Sequence, residues 1–242
     1  MNQVGVIGAG VMGEALIAAL ISYGTAPGSI TISEKRKDRA DELRTRYGIK
    51  VEDVATNVSK ADALLLVVKP QDMATVLDEI KGSINKSAVV ITFAAGKKIS
   101  FIEQGLGTGN PVVRVMPNTP TLVGAGMAAI SLGAGVSADQ SKFVSGFLAA
   151  TGKVIEVSED LQDAVTATSG SGPAYFFRFV EAMVDGAKAL GLSDADATTL
   201  TVQTIVGGVE IANQVIHETI DNKKYLVVHG DQFDGVGVCV GV

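Results

Sequence analysis

Short, mainly apolar runs alternate with longer amphipathic stretches through the first half of the chain. Val4–Ile7, Ile30–Ser33, residues 63–68, residues 89–93 and Val112–Met116 are runs of four to six residues. Between them, residues 14–21, residues 38–47 and Met73–Ile80 carry apolar positions at helical spacing. Strands that read as continuous apolar runs are buried on both faces, and their alternation with helices is the rhythm of a parallel sheet wound on both sides. Residues 127–130 add one more strand.

The texture changes after Gly152. Residues 161–168 read as a short helix, and Pro173 opens a long one through Phe177, Val180, Met183, Ala187 and Leu190. Gly191 stops it, and Ser193 or Asp194 caps the next helix, which passes Leu200 and Ile205. From about Gly207 the pattern breaks, leaving a strand-like stretch at 225–228 and a glycine- and valine-rich stretch at 235–242. The expected organisation is α/β: a doubly wound domain over residues 1–152, a smaller all-helical domain over 153–212, and a divergent tail over 213–242.

The first turn carries the clearest chemistry. VGVIGAGVMGEAL places Gly8, Gly10 and Gly13 as G-x-G-x-x-G between a strand and a helix, the dinucleotide fingerprint of a Rossmann-like fold. Gly8 serves the tight turn, Gly10 the approach of backbone to pyrophosphate, and Gly13 the packing of helix on strand. The amides of Ala9, Gly10, Val11 and Met12 are expected to face the phosphates at a helix N-terminus. About twenty residues on, Ser33-Glu34-Lys35-Arg36 stands where the adenosine ribose is read. Glu34 suits the ribose hydroxyls of NAD, whereas Ser33, Lys35 and Arg36 suit the 2′-phosphate of NADP. NADP is the expected cofactor, with NAD possible.

Later strands end in VVKPQ (67–71), TFAAG (92–96) and RVMPNTP (114–120), and the second domain opens with DAVTATSGSGPAYFF (163–177). In this order and spacing, over about residues 1–206, the chain resembles the pyrroline-5-carboxylate reductases. The resemblance implies a reductase that converts a cyclic imine to proline. It places Val68, Lys69 and Pro70 with Ala94, Ala95 and Gly96 around the nicotinamide half of the cofactor, and Asn118 at the same rim. An Asx turn ahead of Thr119-Pro120 is the competing reading of Asn118. Ser169, Ser171 and Tyr175 are the implied substrate and catalytic residues, the Ser-Gly-Ser-Gly-Pro string offering hydroxyls and amides for a carboxylate at a helix start. A plain N-cap is the competing reading there.

Such a reaction fits the residues present. A protonated imine already carries its proton, so no strong protein acid is needed, and both histidines, His217 and His229, lie outside the matching region. A 2-hydroxy-acid dehydrogenase would need a residue to take the hydroxyl proton. A β-hydroxyacid dehydrogenase would carry a lysine on the helix after the substrate loop, where this chain has Arg178 and no lysine before Lys188.

The family pattern continues into a Ser-Pro-Gly-Gly-Thr-Thr segment and closing helices of the dimer, and the sequence after Gly208 departs from it. Residues 216–235 resemble instead a fragment of UDP-diacylglucosamine diphosphatase-like metallophosphoesterases, with His229 and Asp231 matching its H-G-D string. One histidine and one aspartate do not make a two-metal centre, so no metal is expected. The departure predicts cofactor binding with weakened turnover, and a non-catalytic or truncated NADP-binding protein of the same fold stands as the alternative to an active reductase.

Composition narrows the partners. A net charge of -6 with no long basic run argues against nucleic acid, and the apolar stretches fall short of the ~20 residues needed to span a bilayer. The chain opens without an export signal, and a single cysteine, Cys239, fits a reducing compartment; the expectation is a cytoplasmic homodimer or higher homo-oligomer.

Overall fold

The computed structural model describes the backbone of residues 1–222 and the side-chain surroundings of residues 1–212. The expected strand at 225–228, the stretch at 235–242, and the side chains of His217, His229, Asp231 and Cys239 lie outside the described residues. Two compact units are present, the first Met1–Ala174 and the second beginning at Tyr175.

In the first unit, β1 (Val4–Ile7), α1 (Val11–Tyr23), β2 (Ile30–Ser33), α2 (Lys37–Tyr47), β3 (Lys50–Val51), α3 (Val54–Lys60) and β4 (Ala63–Leu66) follow one another. Then come α4 (Met73–Ile80), β5 (Val89–Thr92), α5 (Ile99–Leu106), β6 (Val112–Met116), β7 (Gly126–Leu132), α6 (Ala138–Ala149) and β8 (Gly152–Glu156). Among the described residues the eight strands form one sheet in the order 3-2-1-4-5-6-7-8. All neighbouring pairs are parallel except β6 with β7, which run antiparallel. The order reverses between β1 and β4, and at such a switch point an open α/β sheet leaves a crevice beyond the carboxyl ends of its strands.

Both faces of the sheet are covered, which is why the strands read as mainly apolar runs with few polar interruptions. Val6, Leu65, Ile91 and Val113 pack on one side with Leu16, Leu20 and Phe147. Leu64, Leu66, Val90 and Val112 pack on the other with Leu77, Ile80 and Ile102. Strand β8 pairs with β7 from Gly126↔Gly152 onward, so residues 152–156 belong to the sheet.

Beyond β8 the chain passes through a 3₁₀ turn (Glu159–Leu161), α7 (Gln162–Val165) and one π-helical turn (Thr166–Gly170) into α8 (Gly172–Ala189). The second unit contains the body of α8 and α9 (Asp194–Asn222). Gly191 takes a φ of +99° past the end of α8, and the Ser193 hydroxyl accepts from the Asp196 amide as the cap of α9. The expected break at Gly207 does not occur, because α9 runs through Gly207 and Gly208 to Asn222. Each helical glycine costs about 1 kcal/mol relative to alanine, and the helix continues past both. Among the described residues, no helix is long and apolar enough to cross a membrane.

Candidate dinucleotide and substrate site

The turn between β1 and α1 is built as its glycines require. Gly8 has φ +86°, and a Cβ there would lie 2.6 Å from the Val67 carbonyl oxygen. A Cβ on Gly13 would lie 2.5 Å from the Gly8 carbonyl oxygen, so α1 closes on the strand only without one. A Cβ on Gly10 would meet nothing within 4 Å, which leaves that edge of the loop open to a ligand.

Ala9, between them, is held at both ends. Its amide donates to Glu34 Oε2 at 2.8 Å, and its carbonyl accepts from Arg39 Nε at 3.2 Å. The Ala9 amide is therefore engaged rather than turned to a phosphate as the sequence suggested. Arg39 in turn binds Glu14 on α1 and Glu42 on its own helix, and Glu14 also takes Arg46 and the Tyr47 hydroxyl. Burial pushes the Glu14 carboxyl up, but the hydrogen bonds from Arg39, Tyr47 and Arg46 outweigh it and hold the group below its ordinary value. This cluster fastens α2 to α1 directly behind the glycine loop.

Two clefts open along the carboxyl edge of the sheet. The first, about 500 Å³, is lined by Gly8, Gly10, Ser33, Glu34, Lys35, Val68 and Lys69 and by the carboxylates of Glu52, Asp53, Asp72 and Glu79, among others. The second, about 300 Å³, is lined by Met12, Val67, Val68, Lys69, Phe93, Met116 and Pro117. Val67, Val68 and Lys69 belong to both, so an extended two-part ligand can cross this ridge from one cleft to the other.

The remaining expected residues fall into place unevenly. Ser33 borders the first cleft but is buried, and its hydroxyl already donates to the Glu52 carbonyl and accepts from Asn57 Nδ2. Arg36 is exposed, its amide bound to Glu34 Oε1 and its guanidinium 4.0 Å from the same oxygen. Val11 is exposed at the start of α1. Pro70 follows Lys69 at the ridge. Ala94 is buried, while Ala95 and Gly96 are exposed in the turn after β5.

Asn118 forms neither an Asx turn nor a free amide. Its Oδ1 accepts from the Met127 amide at 2.8 Å, and its Nδ2 reaches Ser169 Oγ and O at 3.3 and 3.4 Å. Asn118 thus joins the rim of the second cleft to the serine-bearing segment, and Gly170 lies so close to Met116 that a Cβ would stand 2.4 Å from its Cε. The segment itself differs from the expected helix start. The Ser171 amide donates to the Thr166 carbonyl and the Ala174 amide to the Ser171 carbonyl, so α7, the π-turn and α8 follow one helical course without a bare N-terminus. Isolated π-turns recur at functional sites. Tyr175 is exposed on α8.

Sequence reasoning passed over Arg114, Glu159 and Gln162, which lie under this segment. The signal was present: a charged residue inside the run VVRVM is a charge placed in a buried strand.

A doubly wound sheet, the glycine turn at its switch point and a two-part cleft define a dinucleotide-binding oxidoreductase. A family model described as NADP oxidoreductase, coenzyme F420-dependent, matches residues 3–96, and one described as pyrroline-5-carboxylate reductase dimerisation matches residues 159–226. The second match runs well past residue 206, where the sequence resemblance was expected to end. A pyrroline-5-carboxylate reductase from Corynebacterium melassecola is 44% identical over 211 residues, covering 86% of this chain and 78% of its own. The solved pyrroline-5-carboxylate reductase of Coxiella burnetii superposes with a TM-score of 0.82 at 32% identity, covering 96% of this chain and 88% of that one. The Plasmodium falciparum pyrroline carboxylate reductase, solved with NADP bound, gives 0.80 at 28% identity, covering 93% and 85%. The chain belongs to the pyrroline-5-carboxylate reductase family.

Proposed function

We propose that this chain reduces 1-pyrroline-5-carboxylate to L-proline, taking NADPH as hydride donor and NADH as a second choice, and works in the cytoplasm as a homodimer or higher homo-oligomer. The observation that carries the reading is the pair of clefts joined over Val67, Val68 and Lys69, with the Ser169 segment tied by Asn118 to the rim of the second. When bound, the dinucleotide supplies the hydride that reduces the imine carbon.

The chain's own residues do the rest. Gly8, Gly10 and Gly13 shape the turn for the pyrophosphate, with Gly10 leaving room at its edge. Lys35 and Arg36 stand beside the ribose position, where cations favour a 2′-phosphate. Val68, Lys69, Pro70, Ala94, Ala95 and Gly96 frame the nicotinamide half. Ser169, Ser171 and Tyr175 hold the substrate, and the apolar wall of Met12, Phe93 and Met116 excludes water from the ring. Rate then comes from placing the imine carbon about 3–3.5 Å from the donor rather than from proton transfer by the protein.

The purified chain tests this: NADPH consumed only when the imine is added, with proline formed in equal amount, supports it. The second reading, a dinucleotide-binding protein without turnover, is favoured by the lack of a Ser-Pro-Gly-Gly-Thr-Thr segment in this sequence, although the dimerisation match reaches residue 226. Its signature is saturable NADPH binding with no proline formed.

A further inference from the structure

Across β5, β6 and β7, Thr92, Arg114 and Ser131 are in direct register and form a transverse row on one face of the sheet. All three are buried, with 0%, 4% and 1% of their surface exposed. The strands around them are otherwise apolar on this face, so three adjacent polar residues need partners there. Each partner lies in a segment that borders the second cleft or leads to it.

Thr92 Oγ1 accepts from the Ala94 amide at 3.4 Å, within the turn expected to frame the nicotinamide. Arg114 donates from NH1 to Glu159 Oε1 at 3.2 Å and lies 3.8 Å from Asp163 through NH2. The same Glu159 oxygen accepts from the Ile99 amide at 2.7 Å, at the first residue of α5. Ser131 Oγ accepts from Gln162 Nε2 at 2.8 Å and donates to the Val157 carbonyl at 2.9 Å. Gln162 is fully buried, and four residues on, Thr166 bonds back to its carbonyl as the π-turn begins.

A buried guanidinium is a poor way to gain stability, since an apolar side chain of like volume often serves as well or better. What it supplies is a fixed direction: its planar fork donates to carboxylates at set angles. We propose that Arg114, with Ser131 and Gln162, is a positioning device for the reaction, setting the height and register of residues 159–172 over the sheet and so fixing Ser169 against the rim of the second cleft. This rests on the reading above that Ser169 and its neighbours hold the substrate. Two residues beyond Arg114 on the same strand, Met116 lines the cleft, so the strand that forms the wall also anchors the segment that Asn118 ties to its rim.

The test uses the full chain with Arg114→Lys and Glu159→Gln, and two kinds of measurement. Hydrogen exchange of the free protein is expected to show lost protection confined to amides 159–172, with β1, β4 and β5 unchanged. In turnover, kcat/KM for pyrroline-5-carboxylate is expected to fall roughly ten- to a hundredfold, as for a reactant mispositioned by about an ångström, while the Kd for NADPH stays within about twofold. Uniform loss of protection across the sheet, or equal losses in imine and NADPH binding, overturns the proposal in favour of a merely structural role. If the unmodified chain forms no proline, the functional reading fails, and local exchange at 159–172 still decides whether the row positions that segment.

Discussion

At the scale of single residues, Glu34 stands at the end of the cleft where the proposed function puts the ribose. Its carboxylate holds the Ala9 amide at 2.8 Å and the Arg36 amide at 3.0 Å, beside the cations proposed to meet a 2′-phosphate. Glu52 and Asp53 line the same cleft, so Lys35 and Arg36 work against local negative charge. Replacing Lys35 and Arg36 together by alanine is expected to weaken NADPH binding by ~1–3 kcal/mol and leave NADH nearly unchanged, as for charge-assisted contacts to phosphate. Glu34→Gln is expected to act in the opposite sense, tightening NADPH relative to NADH by removing a like charge from the phosphate's neighbourhood. Titration of both cofactors against the three proteins checks this; parallel changes for NADPH and NADH would place the 2′-phosphate elsewhere. That Ser33 turns its hydroxyl inward to Glu52 and Asn57 was not legible in the sequence, because it depends on the short β3 lying beside β2.

At the scale of elements, legibility followed the length and uniformity of the signal. β1, β2, α4 and β6 are apolar or periodic enough that their bounds were readable directly. By contrast β3 spans two residues, and α3 is marked mainly by Asp53, whose side chain accepts from the Thr56 amide as an N-cap. Helix α6 was not among the expected elements, although its capping box of Ser137 and Gln140 is a reciprocal pair that sequence can show. The π-turn at Thr166–Gly170 had no local signature, since the Ser-Gly-Ser-Gly-Pro string suits a helix start equally well.

The link between α1 and α2 carries a pH dependence. Glu14 is held below its ordinary carboxyl value by Arg39, Tyr47 and Arg46 against the opposing effect of burial, so its contribution to stability is present above the unfolded value of about 4.3 and lost as pH falls through the depressed folded value. Glu14→Gln is expected to cost about 1–3 kcal/mol at neutral pH, the range for hydrogen bonds to charged groups. In denaturant unfolding the gap between the two proteins should close in acid below that range. A gap that persists unchanged at low pH would mean that Glu14 acts through packing rather than charge.

At the scale of the whole molecule, the helices after Tyr175 show why assembly belongs to the account. Phe176, Phe177 and Phe179 on α8 are more than half exposed, as are Leu200, Val209 and Ile211 on α9. Contiguous apolar surface of more than a few hundred Å² usually marks a partner, and the matched dimerisation family covers these residues. Light scattering is expected to give at least a dimer, and Phe177→Asp with Ile211→Asp to yield smaller species; an unmodified chain that stays monomeric would contradict this.

The central claim is hydride transfer to a cyclic imine. Its most direct test is a reaction of the purified chain with pyrroline-5-carboxylate and NADPH carrying deuterium at the transferable position of C4. The account predicts L-proline with a single deuterium on Cδ, formed in equal amount to the cofactor oxidised. Saturable NADPH binding with no labelled proline would contradict it.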